Sequence, residues 1–132
     1  MFPGARYLTI AFSVSLMLAC HNAEPTNAQE TPRFPEFADH QLGRNVWLEN
    51  CQGCHVPGAA GAPQVSDYTA WQPRIAQGIE VLHDHAINGH WGPNSTHMPP
   101  KGGQENLTDD EVKAAVNYMV ELVLHRHQTT GE

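Results

Sequence analysis

The clearest pattern of apolar and polar positions lies near the end of the chain and predicts an amphipathic helix. Thr108 and Glu111 form a capping box, so the helix is expected to begin just after Thr108. The basic run 125–127 suits the negative end of the helix dipole. Six apolar residues recur at helical spacing on one face: Val112, Ala115, Val116, Met119, Leu122 and Val123. This face is expected to pack into the core.

Earlier in the chain the helical patterns are shorter and weaker. Residues 40–50 carry a partial apolar stripe with Asp39 as candidate N-cap. Asp67 can cap a short helix that Pro73 interrupts, and residues 79–89 form another helix ending at a glycine. No segment alternates apolar and polar residues long enough to predict a strand. The sequence therefore predicts an all-α domain.

The beginning of the chain has a different character. Residues 1–19 hold a basic residue and an apolar run that is too short to span a bilayer comfortably, and they end before Cys20. This resembles a bacterial lipoprotein signal, so we expect cleavage before Cys20 and lipidation of its thiol. An ordinary secretory signal and an uncleaved anchor are the alternatives, and all three export the protein to the periplasmic space. Residues 20–38, polar and proline-containing, are expected to form a flexible tether.

Residues 39–128 then form the folded domain, followed by a short tail at 129–132. A domain of roughly 90 residues buries a modest core and gains from a staple or a bound cofactor. The formal net charge of −7 argues against nucleic-acid binding, which requires clusters of Lys and Arg. Three cysteines are an odd number for an exported protein, so each one needs an explanation.

Two of the cysteines lie in a motif that indicates a cofactor. Cys51-Gln52-Gly53-Cys54-His55 has the C-x-x-C-H pattern of covalent haem attachment. Cysteines at this spacing can form two thioethers at one porphyrin edge, and His55 can then donate a nitrogen to the iron. A thiol redox pair, a zinc site and a Cys51–Cys54 disulfide are the alternatives. The motif favours one haem c bound through Cys51 and Cys54.

The second axial ligand is expected far downstream of the motif. Met98 is the candidate, because two prolines after it stiffen the loop and remove competing backbone donors. A thioether is a soft ligand that favours reduced iron. His97 and His90 are rival ligands. The remaining histidines of the domain are expected on solvated helix surfaces: His40, His83, His85, His125 and His127.

The chain resembles a class I cytochrome c of the bacterial cytochrome c-five type, over about residues 43–123. Gly43 and Trp47 match the glycine and the aromatic of the family's first helix, and Tyr118 matches the aromatic of its last helix. The resemblance implies that these helices cross closely at the glycine. It also implies a class I cytochrome c fold, with three to five helices wrapped around one covalent haem.

The resemblance assigns roles to three further residues. Pro63 would accept a hydrogen bond from the proximal His55 through its carbonyl. Trp71 would pack beside the haem, and Arg74 would lie near a propionate. Residues 101–106 lack the cysteine pair that the subgroup often carries, and residues 90–97 are longer than usual, with Trp91 as a candidate partner anchor.

These features predict a monomeric one-electron carrier that is not an enzyme. Its expected partners are a membrane reductase as donor and an oxidase, peroxidase or dehydrogenase as acceptor, met through weak and transient contacts. Cys20 would add a membrane contact through its lipid. Two alternatives stay open: a fixed cytochrome subunit of a larger redox enzyme, and a haem sensor with a labile sixth ligand.

Overall fold

The structure is a computed structural model that describes residues 34–131. Its five α-helices are α1 (Gln41–Asn50), α2 (Gln52–His55), α3 (Tyr68–Ile75), α4 (Ile79–Asn88) and α5 (Asp109–Thr130). Short 3-10 turns occupy Ala38–His40, Ala59–Gly61, Pro93–Ser95 and Pro100–Gly103. The helical class predicted from the sequence is therefore confirmed. The predicted signal 1–19, the lipidation residue Cys20 and the tether up to residue 33 lie outside the described residues.

One small ladder of strands was not predicted. Strand β1 (His90–Trp91) pairs antiparallel with β2 (His97–Met98), and His90 lies opposite Met98. Two residues are too few to produce the alternation that predicts a strand, so the sequence pattern carries no sign of it. Within residues 34–131, no helix combines the length and apolar character that crossing a bilayer requires.

The closest packing in the fold is the crossing of α1 and α5. A Cβ atom on Gly43 would overlap the carbonyl oxygen of Ala114, so the two backbones touch at this point. Trp47 and Tyr118 lie beside the contact, fully buried, with ring centroids 5.6 Å apart. The close crossing implied by the resemblance is thus present, and it depends on the missing side chain of Gly43.

The folded domain begins earlier than the sequence indicates. Phe34 is buried and its ring packs edge-on against Trp47 at a centroid distance of 4.6 Å. Phe37 packs against Tyr118, whose hydroxyl donates to the Pro35 carbonyl at 3.0 Å. Residues 34–38, placed in the tether from their sequence, therefore belong to the domain. Phe34 and Phe37 are too few to show a helical or strand period in this proline-containing segment. The sequence pattern therefore did not predict that they pack into the core.

Helix α5 has the predicted beginning and a longer end. The Thr108 hydroxyl accepts from the Glu111 amide, and the Glu111 carboxylate accepts from the Thr108 amide, which completes the capping box. The helix continues to Thr130 and ends at Gly131 in the left-handed conformation (φ 70°), so the predicted tail is partly helical. The six residues of the predicted apolar face are all buried.

Helices α3 and α4 form the remaining part of the domain. The Asp67 carboxylate caps α3 by accepting from the Ala70 amide at 3.0 Å. Pro73 lies inside α3, which ends two residues later, so the proline shortens the helix rather than interrupting it. In α4, His83 is buried and its Nε2 pairs with the Asn117 side-chain oxygen at 2.8 Å. The expectation that His83 lies on a solvated surface is wrong, because α5 supplies a polar partner for it.

Candidate functional site

The two cysteines of the motif lie one turn apart, with Cys51 between α1 and α2 and Cys54 within α2. The Cys51 amide donates to the Trp47 carbonyl at 2.9 Å, and the Cys54 amide donates to the Cys51 carbonyl at 3.2 Å. Burial, together with the neighbouring Cys54, raises the pKa of Cys51 to about 11. A reactive thiol pair needs a lowered pKa, so this turn does not activate Cys51 for thiol redox chemistry.

His55 is prepared as a neutral imidazole. It is buried, and its Nδ1 lies 3.0 Å from the carbonyl oxygen of Pro63. Because a carbonyl only accepts, Nδ1 donates here and the lone pair is on Nε2, as a metal ligand requires. Burial lowers the pKa of His55; the Pro63 carbonyl opposes this and the Arg74 charge adds to it. The imidazole is therefore unprotonated at neutral pH.

A single cavity opens next to His55. It holds about 1390 Å³ of space not filled by atoms, including its open mouth, and its walls are mostly apolar. All seven residues that the sequence suggested for the cofactor line it: Cys51, Cys54, His55, Pro63, Trp71, Arg74 and Met98. The fold therefore brings together groups spread over 48 positions, from residue 51 to residue 98.

Trp71 and Arg74 both lie on α3, one turn apart. The buried Trp71 ring lies 6.0 Å from the His55 ring, and its indole N–H donates to the Gln64 carbonyl at 2.8 Å. The Arg74 guanidinium donates to the Ala70 carbonyl within the same helix. Arg74 thus places a positive charge at the cavity, where an anionic group of a ligand would be attracted.

Met98 reaches the cavity from β2. It is half-buried and packs against an apolar cluster that includes Leu82, Val112 and Val116. Its neighbour His97 stacks on Trp91 with ring centroids 4.2 Å apart. Both residues line the cavity, but the thioether lies within the apolar cluster whereas the imidazole is held in the Trp91 stack. This packing favours Met98 over His97 as the group presented to a ligand.

The loop after Met98 is attached to α5 by a lysine. Lys101 Nζ donates to the Leu107 carbonyl at 2.7 Å and to the Asp109 carboxylate at 2.8 Å. The hydrogen bond and charge of Lys101 lower the pKa of Asp109. The sequence shows that this loop has no cysteine pair. It did not predict that Lys101 would connect the loop to α5. A basic residue ahead of an acidic helix start was the available signal.

The contact between two histidines at the cavity was also missed, although His90 itself was named as a candidate ligand. His85 of α4 stacks on His90 of β1 with ring centroids 3.8 Å apart, and both line the cavity. His85 was expected on a solvated surface, whereas it is half-buried against this partner. A contact between a helix and the hairpin that follows it cannot be read from helical spacing alone.

The donor set and shape fit a covalently attached haem. Two adjacent thiols can form thioethers, a neutral imidazole has its Nε2 available, and apolar walls suit a flat macrocycle. The cationic Arg74 suits a propionate. These residues would hold the group.

Comparison with known proteins agrees with this fit. Residues 38–119 match the family described as cytochrome C oxidase, cbb3-type, subunit III. Cytochrome c-555 of Chlorobaculum tepidum is 45% identical over 82 residues, which cover 62% of this chain and 75% of the relative. Cytochrome c5 of Azotobacter vinelandii is 35% identical over 79 residues, covering 58% and 89%.

A solved structure is also similar. It is described as a crystal structure of the electron transfer complex of nitrite reductase with cytochrome c, and the matching chain is 34% identical. The TM-score is 0.55, and the match covers 63% of this chain and 95% of that chain. The aligned part of the present chain therefore shares both sequence and fold with proteins of one class.

Proposed function

This chain belongs to the class I c-type cytochromes, and we propose that it carries single electrons in the periplasm with His55 and Met98 as axial ligands. Members of the family carry one haem c, bound covalently through the cysteines of the motif, here Cys51 and Cys54. They are electron-transfer proteins, not enzymes. The observation that best supports the proposal is the buried His55, hydrogen-bonded to Pro63 beside two thiols and facing the same cavity as Met98.

The residues of the chain set the conditions for electron transfer. When bound, the haem supplies iron that cycles between Fe(III) and Fe(II). The Pro63 carbonyl fixes the ring of His55 and makes Nε2 more basic. The Met98 thioether, a soft ligand, favours the reduced state. If His55 and Met98 both bound the iron, no position would be left for a substrate, which suits a carrier.

The partners are proposed to be redox proteins. The electron transfer complex with nitrite reductase supports such partners for a similar cytochrome c. For this chain, we propose a membrane reductase as donor and an oxidase, peroxidase or dehydrogenase as acceptor. Residues 1–19 support export, and lipidation of Cys20 would hold the carrier at a membrane; a soluble periplasmic protein is the alternative.

A second candidate is a fixed subunit of a larger redox enzyme. It is favoured by the matching family description, which names an oxidase subunit. The two candidates differ in how tightly the partner is held. Purification of the tagged chain from its own cells in low and high salt separates them: a carrier loses its partners on washing, whereas a subunit retains them in a fixed ratio.

The ligands are tested with protein exported alongside the haem-attachment machinery. Met98→Ala should keep the haem attached, remove the weak far-red band of Fe(III)–Met ligation and lower the reduction potential by on the order of 0.1 V. His97→Ala is the matched control and should keep the band. If His97→Ala removes the band and Met98→Ala keeps it, the sixth ligand is His97.

Attachment is tested by replacing both thiols. Cys51→Ala with Cys54→Ala should release the haem on denaturation in alkaline pyridine, whereas the parent protein should retain it. Haem that stays with the doubly substituted chain would contradict the whole assignment. For the anchor, Cys20→Ser should move the protein from the membrane fraction to the soluble fraction. Continued membrane association of that variant in high salt would exclude lipidation as the anchor.

A further inference from the structure

A hairpin carrying an exposed tryptophan stands at the mouth of the cavity. We call residues 89–100 the Trp91 hairpin; they include β1, β2 and the turn between them. His90, His97 and Met98 of this segment line the cavity. Trp91 is 68% exposed, more than any other large hydrophobic residue that the structure describes. A large exposed aromatic beside residues that line a functional cavity is a candidate anchor for a partner.

The indole of Trp91 is held in a fixed position. It stacks on the His97 ring at 4.2 Å with 30° between the planes. Inside the turn, the Gly92 amide donates to the Thr96 carbonyl at 2.8 Å, and the Thr96 hydroxyl donates to the Pro93 carbonyl at 2.9 Å. A side chain that is already ordered loses little conformational entropy when it is buried against a partner.

The turn also has a defined backbone conformation. Asn94 and Ser95 adopt φ values of 56° and 59°, two successive left-handed residues of the kind that tight hairpin turns use. The Thr96 methyl group packs so closely on Gly61 that a Cβ atom at Gly61 would overlap it. The hydrogen bonds of the turn and the contact between Thr96 and Gly61 make the hairpin a shaped surface rather than a loose loop.

The surface of the hairpin is uncharged in a strongly acidic chain. Residues 89–100 contain no Asp, Glu, Lys or Arg, although the whole chain carries 14 acidic residues and a net charge of −7. The charged residues that line the cavity itself, within the part of the chain the structure describes, are the cationic Arg74 and Lys101. A partner approaching the hairpin meets apolar and neutral polar groups, so ion pairs contribute little to that contact.

We propose that the Trp91 hairpin is the docking surface for a redox protein whose own contact patch is apolar and uncharged, with Trp91 as the anchor. This inference rests on the proposed electron-carrier function and adds the chemistry of its partner. The fixed, exposed indole gives the contact its specificity. Because no ion pair has to be formed or broken, association depends little on salt concentration, in contrast to what the net charge alone would suggest.

The experiment uses the haem-containing protein and electrode surfaces of defined chemistry at pH 8, above the ordinary titration range of histidine. Gold is coated either with a monolayer ending in mixed methyl and hydroxyl groups or with one ending in amines. The variants are Trp91→Ala, Trp91→Phe as a conservative replacement, and Leu42→Ala. Leu42 is the matched control because it is 55% exposed on α1 and does not line the cavity.

We expect the parent protein to exchange electrons rapidly with the uncharged surface, at a rate that changes less than about twofold between low and high salt. Trp91→Ala should lower this rate by about tenfold or more, the scale of an anchor residue. Trp91→Phe should recover most of it, and Leu42→Ala should leave it unchanged. The reduction potential should stay the same in all variants, which separates docking from ligation.

Several results would overturn the docking surface while leaving the carrier function intact. One is an equal rate for Trp91→Ala and Leu42→Ala on the uncharged surface. Another is a clear preference for the amine surface that salt abolishes, which would assign docking to the acidic residues. A concentration-dependent dimer that Trp91→Ala dissociates in sedimentation would assign the hairpin to a second copy. A parent protein with attached haem but no redox wave on any surface would overturn the carrier function as well.

Discussion

The crossing of α1 and α5 and the Trp91 hairpin are built in opposite ways. At the crossing, Gly43 lets two regular helices touch and buried aromatic side chains fill the space beside them. At the hairpin, the backbone has left-handed residues, the strands are two residues long and Trp91 is exposed. The crossing is stabilised by buried packing, whereas the hairpin uses a short, turned backbone to present Met98 to the cavity and Trp91 to solvent. The crossing therefore supplies the frame and the hairpin presents groups to the cavity and to solvent, although Ala115 and Met119 of α5 also line the cavity.

The largest expected effect is at the crossing. Gly43→Ala forces a methyl group into the Ala114 carbonyl, so the helices must separate; we expect a loss of about 3 kcal/mol or more in the free energy of unfolding. Gly53→Ala is the matched control, because a Cβ atom there meets nothing within 4 Å. Its effect should stay within about 1 kcal/mol, in either direction. Denaturant unfolding followed by helical circular dichroism measures both, and equal losses would contradict the close crossing.

A pair of glycines on either side of α4 tests the hairpin directly. Gly78 (φ 94°, ψ 155°) and Gly89 (φ 85°, ψ 160°) share a conformation that other residues avoid. Alanine at either position should cost about 1–3 kcal/mol of unfolding free energy. At Gly89 the new Cβ also lies 3.0 Å from the Met98 carbonyl, whereas at Gly78 it meets nothing within 4 Å. Only Gly89→Ala should therefore shift the reduction potential, as measured by redox titration. Equal shifts in both variants would show that general destabilisation, and not the Met98 segment, sets the potential.

A smaller effect is expected where the leading segment joins the crossing. Tyr118→Phe removes the hydroxyl that donates to the Pro35 carbonyl and leaves the ring in place. We expect a loss of about 1 kcal/mol in unfolding free energy and no change in the reduction potential, because neither Tyr118 nor Pro35 lines the cavity. Thermal unfolding and redox titration of the same samples check both parts. A changed potential would show that the crossing and the site are coupled.

The smallest expected effect on stability comes from the ion pair between Lys101, in the loop after Met98, and Asp109 of α5. Since Lys101 lowers the pKa of Asp109 in the folded protein, this carboxylate stabilises the fold above its ordinary pKa. The contribution is lost as the pH falls through the lowered value, on the acid side of the ordinary 3.8. Asp109→Asn should flatten the decrease in melting temperature between pH 5 and pH 3. Asp110→Asn is the control, because its partner Lys113 is 4.0 Å away and both are exposed. An identical acid response in the two variants would exclude this contribution of the ion pair.

The sequence predicts a contact in this fold when the residues that form it are close together in the chain. The capping box at Thr108 and the glycine end of α4 were correctly predicted, because each is fixed by residues within one turn. The partner of His83 was not, since it comes from α5, 34 residues later. The packing of Phe34 also depends on a distant residue, Trp47.

The same rule holds for the candidate site. The C-x-x-C-H motif indicates its own chemistry because the three reactive groups are close in sequence. The Pro63 hydrogen bond could be expected only from the family resemblance, although the structure contains it. The stack of His85 on His90 and the double contact of Lys101 had no signal strong enough to predict them. They depend on how α4, the hairpin and α5 meet, which no local pattern specifies.

The early start of the domain has a mechanical consequence. Any pull on the chain ahead of Phe34 enters the fold at the rings of Trp47 and Tyr118 and at the Pro35 carbonyl. None of these groups lines the cavity, so the load enters the fold away from the cofactor site. If the carrier is tethered at Cys20, the whole domain could turn toward a partner while the Trp91 hairpin keeps its shape and the groups around the haem stay unstrained.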